Sequence, residues 1–204
     1  MDIILIRHTA VAAEPGTCYG QQDVPLAEPA EVAFQQVAQR LPAVDAVATS
    51  PLQRCSRLAT WLGQQRSLPL VTDERWRELD FGAWEGKRWS TLERHRIDQW
   101  ALDPWGFAAP QGESVRGMHL RARAALAALR VKADLNGWKR LAVVTHGGPI
   151  RVLLAELMGL APMKVNALEI PFGGMFGLRR GPRGWETAPM HELREPQSPQ
   201  ASAA

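Results

Sequence analysis

The sequence contains only two cysteines and no long hydrophobic run. Cys18 and Cys55 are far apart and lie outside any metal-binding pattern of histidines, so we expect free thiols in a reducing compartment. No stretch approaches the roughly 20 apolar residues that a membrane span needs, and the start at Met1-Asp2 lacks the regions of a secretion signal. These absences predict a cytoplasmic protein that has no membrane partner.

The chain also lacks a dense basic run. Its formal net charge is +3, but the arginines are scattered along the sequence. Nucleic-acid binding normally uses a basic stripe or a recognised motif, so we expect no nucleic-acid partner. A mild positive excess suits a small anionic ligand.

The length of 204 residues, 46% of them hydrophobic, is enough to bury one full core. We predict a single domain over residues 1–193. Residues 194–204 are polar, contain proline and lack apolar anchors, which is typical of a disordered tail.

Apolar runs alternate with helical patterns along the chain. This alternation predicts an α/β protein of three αβα layers, with a mostly parallel sheet and an irregular edge. A final pair of strands is expected to form a hairpin turned at residues 171–174. The predicted strands are 3–6, 46–48, 70–72, 141–145, 167–170 and 175–178, and the predicted helices are 28–41, 52–65, 114–135 and 150–158.

The segment from about residue 84 to 112 has no clean strand period and is rich in tryptophan. We interpret it as a helical, tryptophan-rich cap inserted over one end of the sheet, with residues 111–114 helping to form a lid. Its aromatic faces could stack on a flat base of a ligand. For most of the tryptophans we expect a small apolar subcore instead.

The first apolar run ends abruptly at Arg7-His8-Thr9. Carboxyl ends of parallel strands are where α/β sheets carry ligands. Arginine offers a planar fork of donors, and histidine can donate a proton or act as a nucleophile. The tripeptide therefore indicates a site for an anion such as phosphate, unless it is only a solvated strand end.

A second cation follows the second predicted strand. Ser50 is expected to cap the next helix, with Pro51 at its first position and Gln53 at its third. Arg54 then lies in the first helical turn, where the helix dipole disfavours a cation. A bound anion would reverse that effect.

A second histidine follows a later strand, at His146-Gly147-Gly148-Pro149. The two glycines allow close approach of the backbone to a ligand, and the N–H groups of the helix that follows would point at it.

Three carboxylates lie among aromatic residues and glycines in one loop-like segment: Glu78, Asp80 and Glu85. A carboxyl group near apolar surface can serve as a general acid. Spacing alone leaves all three as candidates.

Together these motifs resemble the histidine phosphatase superfamily, which includes cofactor-dependent phosphoglycerate mutase. They occur in the same order over nearly the whole chain, up to about residue 178. The motifs are Arg7-His8-Thr9, residues 49–54, Glu78 before residues 81–86, and Thr145-His146-Gly147. Residues 18–26 further resemble the α-ribazole phosphatases of cobalamin nucleotide-loop assembly.

The resemblance implies a phosphomonoesterase with a phosphohistidine intermediate, acting on α-ribazole 5′-phosphate. It implies that His8 is the nucleophile, that Arg7, Arg54 and His146 hold the phosphate, and that Glu78 is the general acid. Gly147 would add a substrate contact. It implies no cofactor and no metal, because the guanidinium groups take the place of magnesium.

The chain departs from the family where Thr9 replaces a common glycine and no asparagine precedes Gln21. Thr9 or Gln21 is expected to supply the missing phosphate contact.

Three other functions stay open from the sequence. They are a general small-metabolite phosphatase, a phosphoglycerate mutase, and a non-catalytic phosphate-binding module. The expected partner is a small phosphorylated metabolite, and a homodimer is one assembly that the sequence allows.

Overall fold

The computed structural model describes residues 1–193, apart from the side chains of Pro162, Met163 and Asn166. One six-stranded sheet has the order β3-β2-β4-β1-β5-β6. The first four strands in this order are parallel, and β5 and β6 are antiparallel to their neighbours. The strands are β1 (Asp2–Arg7), β2 (Ala46–Thr49), β3 (Leu70–Thr72), β4 (Arg140–Thr145), β5 (Met175–Gly181) and β6 (Gly184–Ala188).

Five helices complete the architecture, and four of them cover the two faces of the sheet. The helices are α1 (Ala30–Arg40), α2 (Gln53–Arg66), α3 (Arg94–Leu102), α4 (Val115–Asn136) and α5 (Gly147–Leu157). The predicted helices match α1, α2, α4 and α5 within three residues at each end. None of the helices described between residues 1 and 193 is long and apolar enough to cross a membrane.

The alternation of side chains along β1 builds both core layers. Ile3 and Leu5 pack with α4 and α5, whereas Ile4 and Ile6 pack with α1 and α2. Strands that are apolar on both faces must be covered on both faces. The prediction of three αβα layers with a mostly parallel sheet is therefore confirmed.

The start of α2 differs from the prediction. The helix begins at Gln53, and its N-cap residue Leu52 provides no side-chain cap. The Gln53 N–H instead donates to Asp23 Oδ1 over 2.8 Å. Ser50 does not cap the helix, because it lies two residues before the N-cap, where its hydroxyl accepts from Leu52 N over 3.4 Å and contacts the site described below. Arg54 does lie in the first turn, as predicted.

The predicted terminal hairpin is also wrong. Residues 167–170 are not a strand: residue 167 is the last residue of the 3-10 helix Pro162–Ala167, and residues 168–170 have no regular secondary structure. The hairpin pairs β5 with β6 and turns at residues 182–183, not at 171–174. Residues 171–174 instead bend over the carboxyl end of β1, where Gly173 N donates to Arg7 O over 3.1 Å. The predicted tail, 194–204, lies outside the described residues.

The cap consists of α3 and short 3-10 turns, including Gly82–Trp84 and Trp89–Thr91. Trp84 is buried with Cys18 and Ala109 in a cluster separate from the main core. Trp89 stacks on Trp100, with ring centroids 5.6 Å apart. The expected apolar subcore is present in the cap.

A leucine pair tests the core on the α2 face. Leu58 on α2 is fully buried, whereas Leu135 on α4 is 81% exposed. Leu58→Ala should lower the free energy of unfolding by about 2–5 kcal/mol, because it leaves a cavity against the sheet. Leu135→Ala should change it by less than about 0.5 kcal/mol. Urea unfolding measures both, and equal effects would contradict this packing.

Candidate active site

The two predicted histidines meet at the carboxyl ends of β1 and β4. These strands are adjacent and parallel, with Arg7 paired to Thr145, and His8 N donates to Thr145 O over 2.9 Å. The ring centroids of His8 and His146 are consequently 5.2 Å apart. Both residues are buried.

His8 is held in one tautomer. Its Nδ1 lies 2.7 Å from the carbonyl oxygen of Thr9, which can only accept. Nδ1 therefore carries the proton, and Nε2 keeps its lone pair. Phe172 flanks the ring, with centroids 5.5 Å apart.

His146 is held at both ring nitrogens. Arg54 Nε donates to His146 Nδ1 over 3.2 Å, and the Ser50 hydroxyl lies 2.8 Å from His146 Nε2. Because arginine can only donate, the proton of the neutral ring lies on Nε2 and is donated to Ser50. The Cys55 sulfur packs 3.4 Å from the same nitrogen.

Arg54 is fully buried and connects three parts of the chain. Besides His146, its guanidinium donates to the carbonyl oxygens of Gln22, over 2.8 Å, and Gly20. The Tyr19 ring faces it, with 5.5 Å between the ring centroid and the guanidinium carbon. Three of its five N–H groups are used in these bonds, so two remain for a ligand.

Arg7 is held by the segment that bends over β1. It donates to the carbonyl oxygen of Ile170, and its guanidinium carbon lies 3.9 Å from the centroid of the Phe172 ring. Its Nε is buried and has no partner among the described residues. The guanidinium also lies close to Gly147, where an added Cβ would be 3.5 Å from Nε.

Glu78 lies against the N-terminus of α5. Gly148 N donates to both carboxylate oxygens over 3.1 Å, and Leu79 N donates to Oε1 over 2.9 Å. A Cβ at position 148 would overlap the carboxylate and the Met118 sulfur, so glycine is required there. From α4, Arg121 donates to the Glu78 carbonyl over 2.7 Å and fixes the segment that carries it.

The other two candidate carboxylates bind backbone. Asp80 Oδ1 accepts from Gly82 N over 2.8 Å. Glu85 accepts from the backbone N–H groups of Gln21, over 2.7 Å, and Gln22. Of the three carboxylates, only Glu78 lines the cavity described below.

The remaining predicted residues also lie at this end of the sheet. Thr9 is buried, and its hydroxyl has no partner within residues 1–193. The Gln21 side chain donates to the Glu78 carbonyl over 3.1 Å. The structure therefore brings together all eight predicted site residues: Arg7, His8, Thr9, Gln21, Arg54, Glu78, His146 and Gly147.

Burial controls the charge state of the histidines. It lowers the pKa of His8 to about 3, an effect that the Arg54 and Arg7 charges increase and the Thr9 carbonyl opposes. Burial likewise lowers the pKa of His146 well below its usual value, with further lowering from His8 and Arg54. Both imidazoles are neutral at pH 7, so the positive charge of the site comes from Arg7 and Arg54.

A cavity of about 370 Å³ opens beside Glu78 and Gly148. Its walls are mostly apolar and aromatic, and Arg151 on α5 is the cation among the lining residues. The other lining side chains include Tyr19, Phe81, Trp89, Trp100, Met118 and Val152.

The predicted lid at residues 111–114 is not part of this wall. Glu113 pairs with Arg121, and Ser114 caps α4 by accepting from Gly117 N over 3.1 Å. These residues hold the start of α4 instead.

Sequence reasoning missed several residues of the site. Tyr19 and Ser50 lie inside quoted motifs, so proximity to matched residues was a usable signal. Arg121 and Arg151 had no local signal, because their roles depend on contacts between helices and loops distant in sequence.

Comparison with known proteins supports the same family. Residues 3–192 match the model of the histidine phosphatase superfamily (branch 1). The chain is 34% identical to the probable phosphoglycerate mutase GpmB of Cronobacter sakazakii over 179 residues, 83% of this chain and 80% of that protein. It is 31% identical to the putative phosphoserine phosphatase 2 of Hydrogenobacter thermophilus over 120 residues, which is 57% of each chain.

A solved structure shows the same fold. The α-ribazole phosphatase from Shigella flexneri superposes with a TM-score of 0.79 at 23% identity, covering 92% of this chain and 95% of that one. The family-model match over residues 3–192 and the 34% identity to GpmB establish that the chain belongs to the histidine phosphatase superfamily and is an enzyme of that family.

Proposed function

We propose that the chain is a phosphomonoesterase that works through a phosphohistidine on His8. The observation that carries the proposal is the convergence of a neutral, tautomer-fixed imidazole with two guanidinium groups and a carboxylate at one end of the sheet. In the first step His8 Nε2 attacks phosphorus, the N–P bond forms and the P–O bond to the leaving group breaks.

Arg7 and Arg54 neutralise the phosphoryl oxygens in this step. Each retains N–H groups that no described residue accepts, including the buried Nε of Arg7. Preorganised donors of this kind stabilise developing charge without reorganisation. The orphaned hydroxyl of Thr9 is a further donor at the same end of the sheet.

His146 acts mainly by fixing Arg54. Both of its nitrogens are engaged within the protein, so a direct bond to phosphate would require the 3.2 Å contact with Arg54 Nε to break. We therefore assign it to orienting Arg54 and to forming the wall beside His8.

Glu78 serves both half-reactions. It protonates the leaving oxygen as the P–O bond breaks, and its carboxylate then takes a proton from the water that attacks the phosphohistidine. That attack breaks the N–P bond and releases phosphate with His8 restored. The position of Glu78, between the N-terminus of α5 and the cavity, suits both roles.

The favoured substrate is α-ribazole 5′-phosphate. The cavity next to Glu78 has aromatic walls at Phe81, Trp89 and Trp100, which fit a flat benzimidazole base. The fold shared with an α-ribazole phosphatase agrees with this substrate.

A second class of substrate is favoured by Arg151. Its Nε is bound to Leu168 O over 3.1 Å, while the side chain lines the cavity. A cation there suits a carboxylated leaving group, such as those of phosphoserine or phosphoglycerate.

Glu78→Gln tests the general acid. Turnover of an alkyl phosphate should fall by about 10²-fold or more, because the alkoxide then leaves unprotonated. Turnover of p-nitrophenyl phosphate should fall much less, since its phenolate needs no proton. Steady-state kcat/KM on both substrates measures the difference.

Glu85→Gln is the matched control for this experiment. It removes a carboxylate that binds the loop of Gln21 and Gln22, so it should affect both substrates in equal proportion. Equal losses from Glu78→Gln would remove Glu78 from the acid role.

His8→Asn tests the neutral state of the nucleophile. Because the pKa of His8 is about 3 in the folded chain and near 6.5 when exposed, the unfolded chain binds an extra proton between these pH values. Stability is therefore lost as the pH falls through that window. In the variant, the free energy of unfolding should fall less with each pH unit than in the wild type. The difference between the two slopes should be about 1.4 kcal/mol per pH unit.

Urea unfolding from pH 7 to pH 4 measures this slope. Leu135→Ala, which changes an exposed side chain and removes no titratable group, should keep the wild-type slope. An unchanged slope in His8→Asn would show that His8 is not buried as a neutral imidazole.

A substrate panel assayed in EDTA tests the function itself. It contains α-ribazole 5′-phosphate, 3-phosphoglycerate, phosphoserine and sugar phosphates, with His8→Ala as control. We expect metal-independent hydrolysis, with the highest kcat/KM on α-ribazole 5′-phosphate and none from His8→Ala. A flat profile, or a preference for carboxylated substrates, would overturn the favoured substrate. Loss of activity in EDTA would overturn the mechanism.

A further inference from the structure

A second large groove lies between α4, α5 and the β5–β6 hairpin, with a volume of about 500 Å³. We call it the arginine groove. Its floor is apolar, with Leu126, Leu153 and Leu157, and Trp185 forms part of its wall. Its charged lining residues are Arg123, Arg130, Glu156, Arg180 and Arg183.

Three arginines of this groove differ from most others in the chain because their side chains form no hydrogen bond or ion pair within residues 1–193. Most arginine side chains in residues 1–193 donate to a carboxylate, a carbonyl oxygen or His146, and four form no such bond. These four are Arg116, Arg130, Arg180 and Arg183. Three of the four therefore line one groove.

The groove carries a concentrated positive charge. Four arginines face one carboxylate, so the formal charge of its lining is +3 (4 − 1), equal to the net charge of the whole chain. Arg123 is paired with Glu156 over 3.5 Å, which leaves the other three cations without a counter-charge from the described part of the chain. Guanidinium groups in this state attract phosphate or carboxylate oxygens.

The arginine groove is separate from the catalytic site. Gly148, beside Glu78, lies in the first turn of α5, whereas Leu157 ends the helix, and nine residues of helix span about 14 Å. Arg180 N donates to Met1 O at the amino end of β1, while His8 follows the carboxyl end of that strand, about 20 Å away. A ligand in the groove is therefore not attacked by His8.

We propose that the arginine groove binds a nucleoside polyphosphate. The three uncompensated guanidinium groups would hold the phosphates, and the indole of Trp185 with the leucine floor would hold the base. A half-open groove with both cationic and apolar lining residues fits a small amphipathic anion better than the flat surface of an acidic protein. The proposal does not depend on which phosphate ester the catalytic site hydrolyses.

Isothermal titration with ADP tests the site, with saturating orthovanadate present to occupy the catalytic site. We expect saturable binding that weakens as ionic strength rises. The double variant R130Q/R183Q should weaken it at least tenfold. R116Q is the matched control, because Arg116 is also unpaired but lies outside the groove, and it should bind ADP as the wild type does.

Further probes separate the parts of the proposal. W185L should weaken ADP binding more than pyrophosphate binding. The variants at Arg116, Arg130 and Arg183 should keep the wild-type melting temperature. No binding at millimolar ADP, or equal losses in R130Q/R183Q and R116Q, would overturn the site. Pyrophosphate binding as tight as ADP would overturn the role of the base. If the chain bound polyglutamate but did not bind ADP, the groove would be assigned to an acidic protein instead.

Discussion

The site depends on one fully buried guanidinium, that of Arg54. A buried charge costs several kcal/mol unless it is paired and hydrogen-bonded. The chain meets this requirement with one imidazole nitrogen of His146 and the carbonyl oxygens of Gly20 and Gln22. These neutral acceptors solvate the cation without cancelling its charge. The same bonds fix the loop that contains Gly20 and Gln22, the start of α2 and the end of β4 relative to one another.

The electrostatic balance of the site follows from this arrangement. Burial keeps His8 and His146 neutral, so Arg7 and Arg54 supply the positive charge. Burial also lowers the pKa of Arg7 from its ordinary value, and an arginine side chain stays charged in proteins. A doubly charged anion between these groups would restore balance, which is the physical basis of the phosphate site proposed above.

The sequence predicted those parts of the fold and site that depend on local pattern. The apolar run before Arg7 predicts a buried strand, which is confirmed, and the placement of His8 and His146 follows from adjacent parallel strands. Predictions from local sequence pattern were wrong where a side chain contacts a residue that is distant in sequence. Ser50 was expected to cap α2 but binds His146, and residues 167–170 look like a strand but lead into the bend that holds Arg7. Arg121 could not be found, because its contacts connect α4 to a loop some forty residues earlier in the chain.

Different parts of the chain form the two parts of the proposed site. The proposed phosphoryl position lies at the strand ends and the N-terminus of α5, whereas Phe81, Trp89 and Trp100, in and around the cap, line the cavity beside Glu78. Cap substitutions can therefore alter which alcohol is accepted while the chemistry at phosphorus stays intact. Such a division lets a lineage diversify in specificity by changing a small, separately packed subcore, without disturbing the sheet on which folding depends.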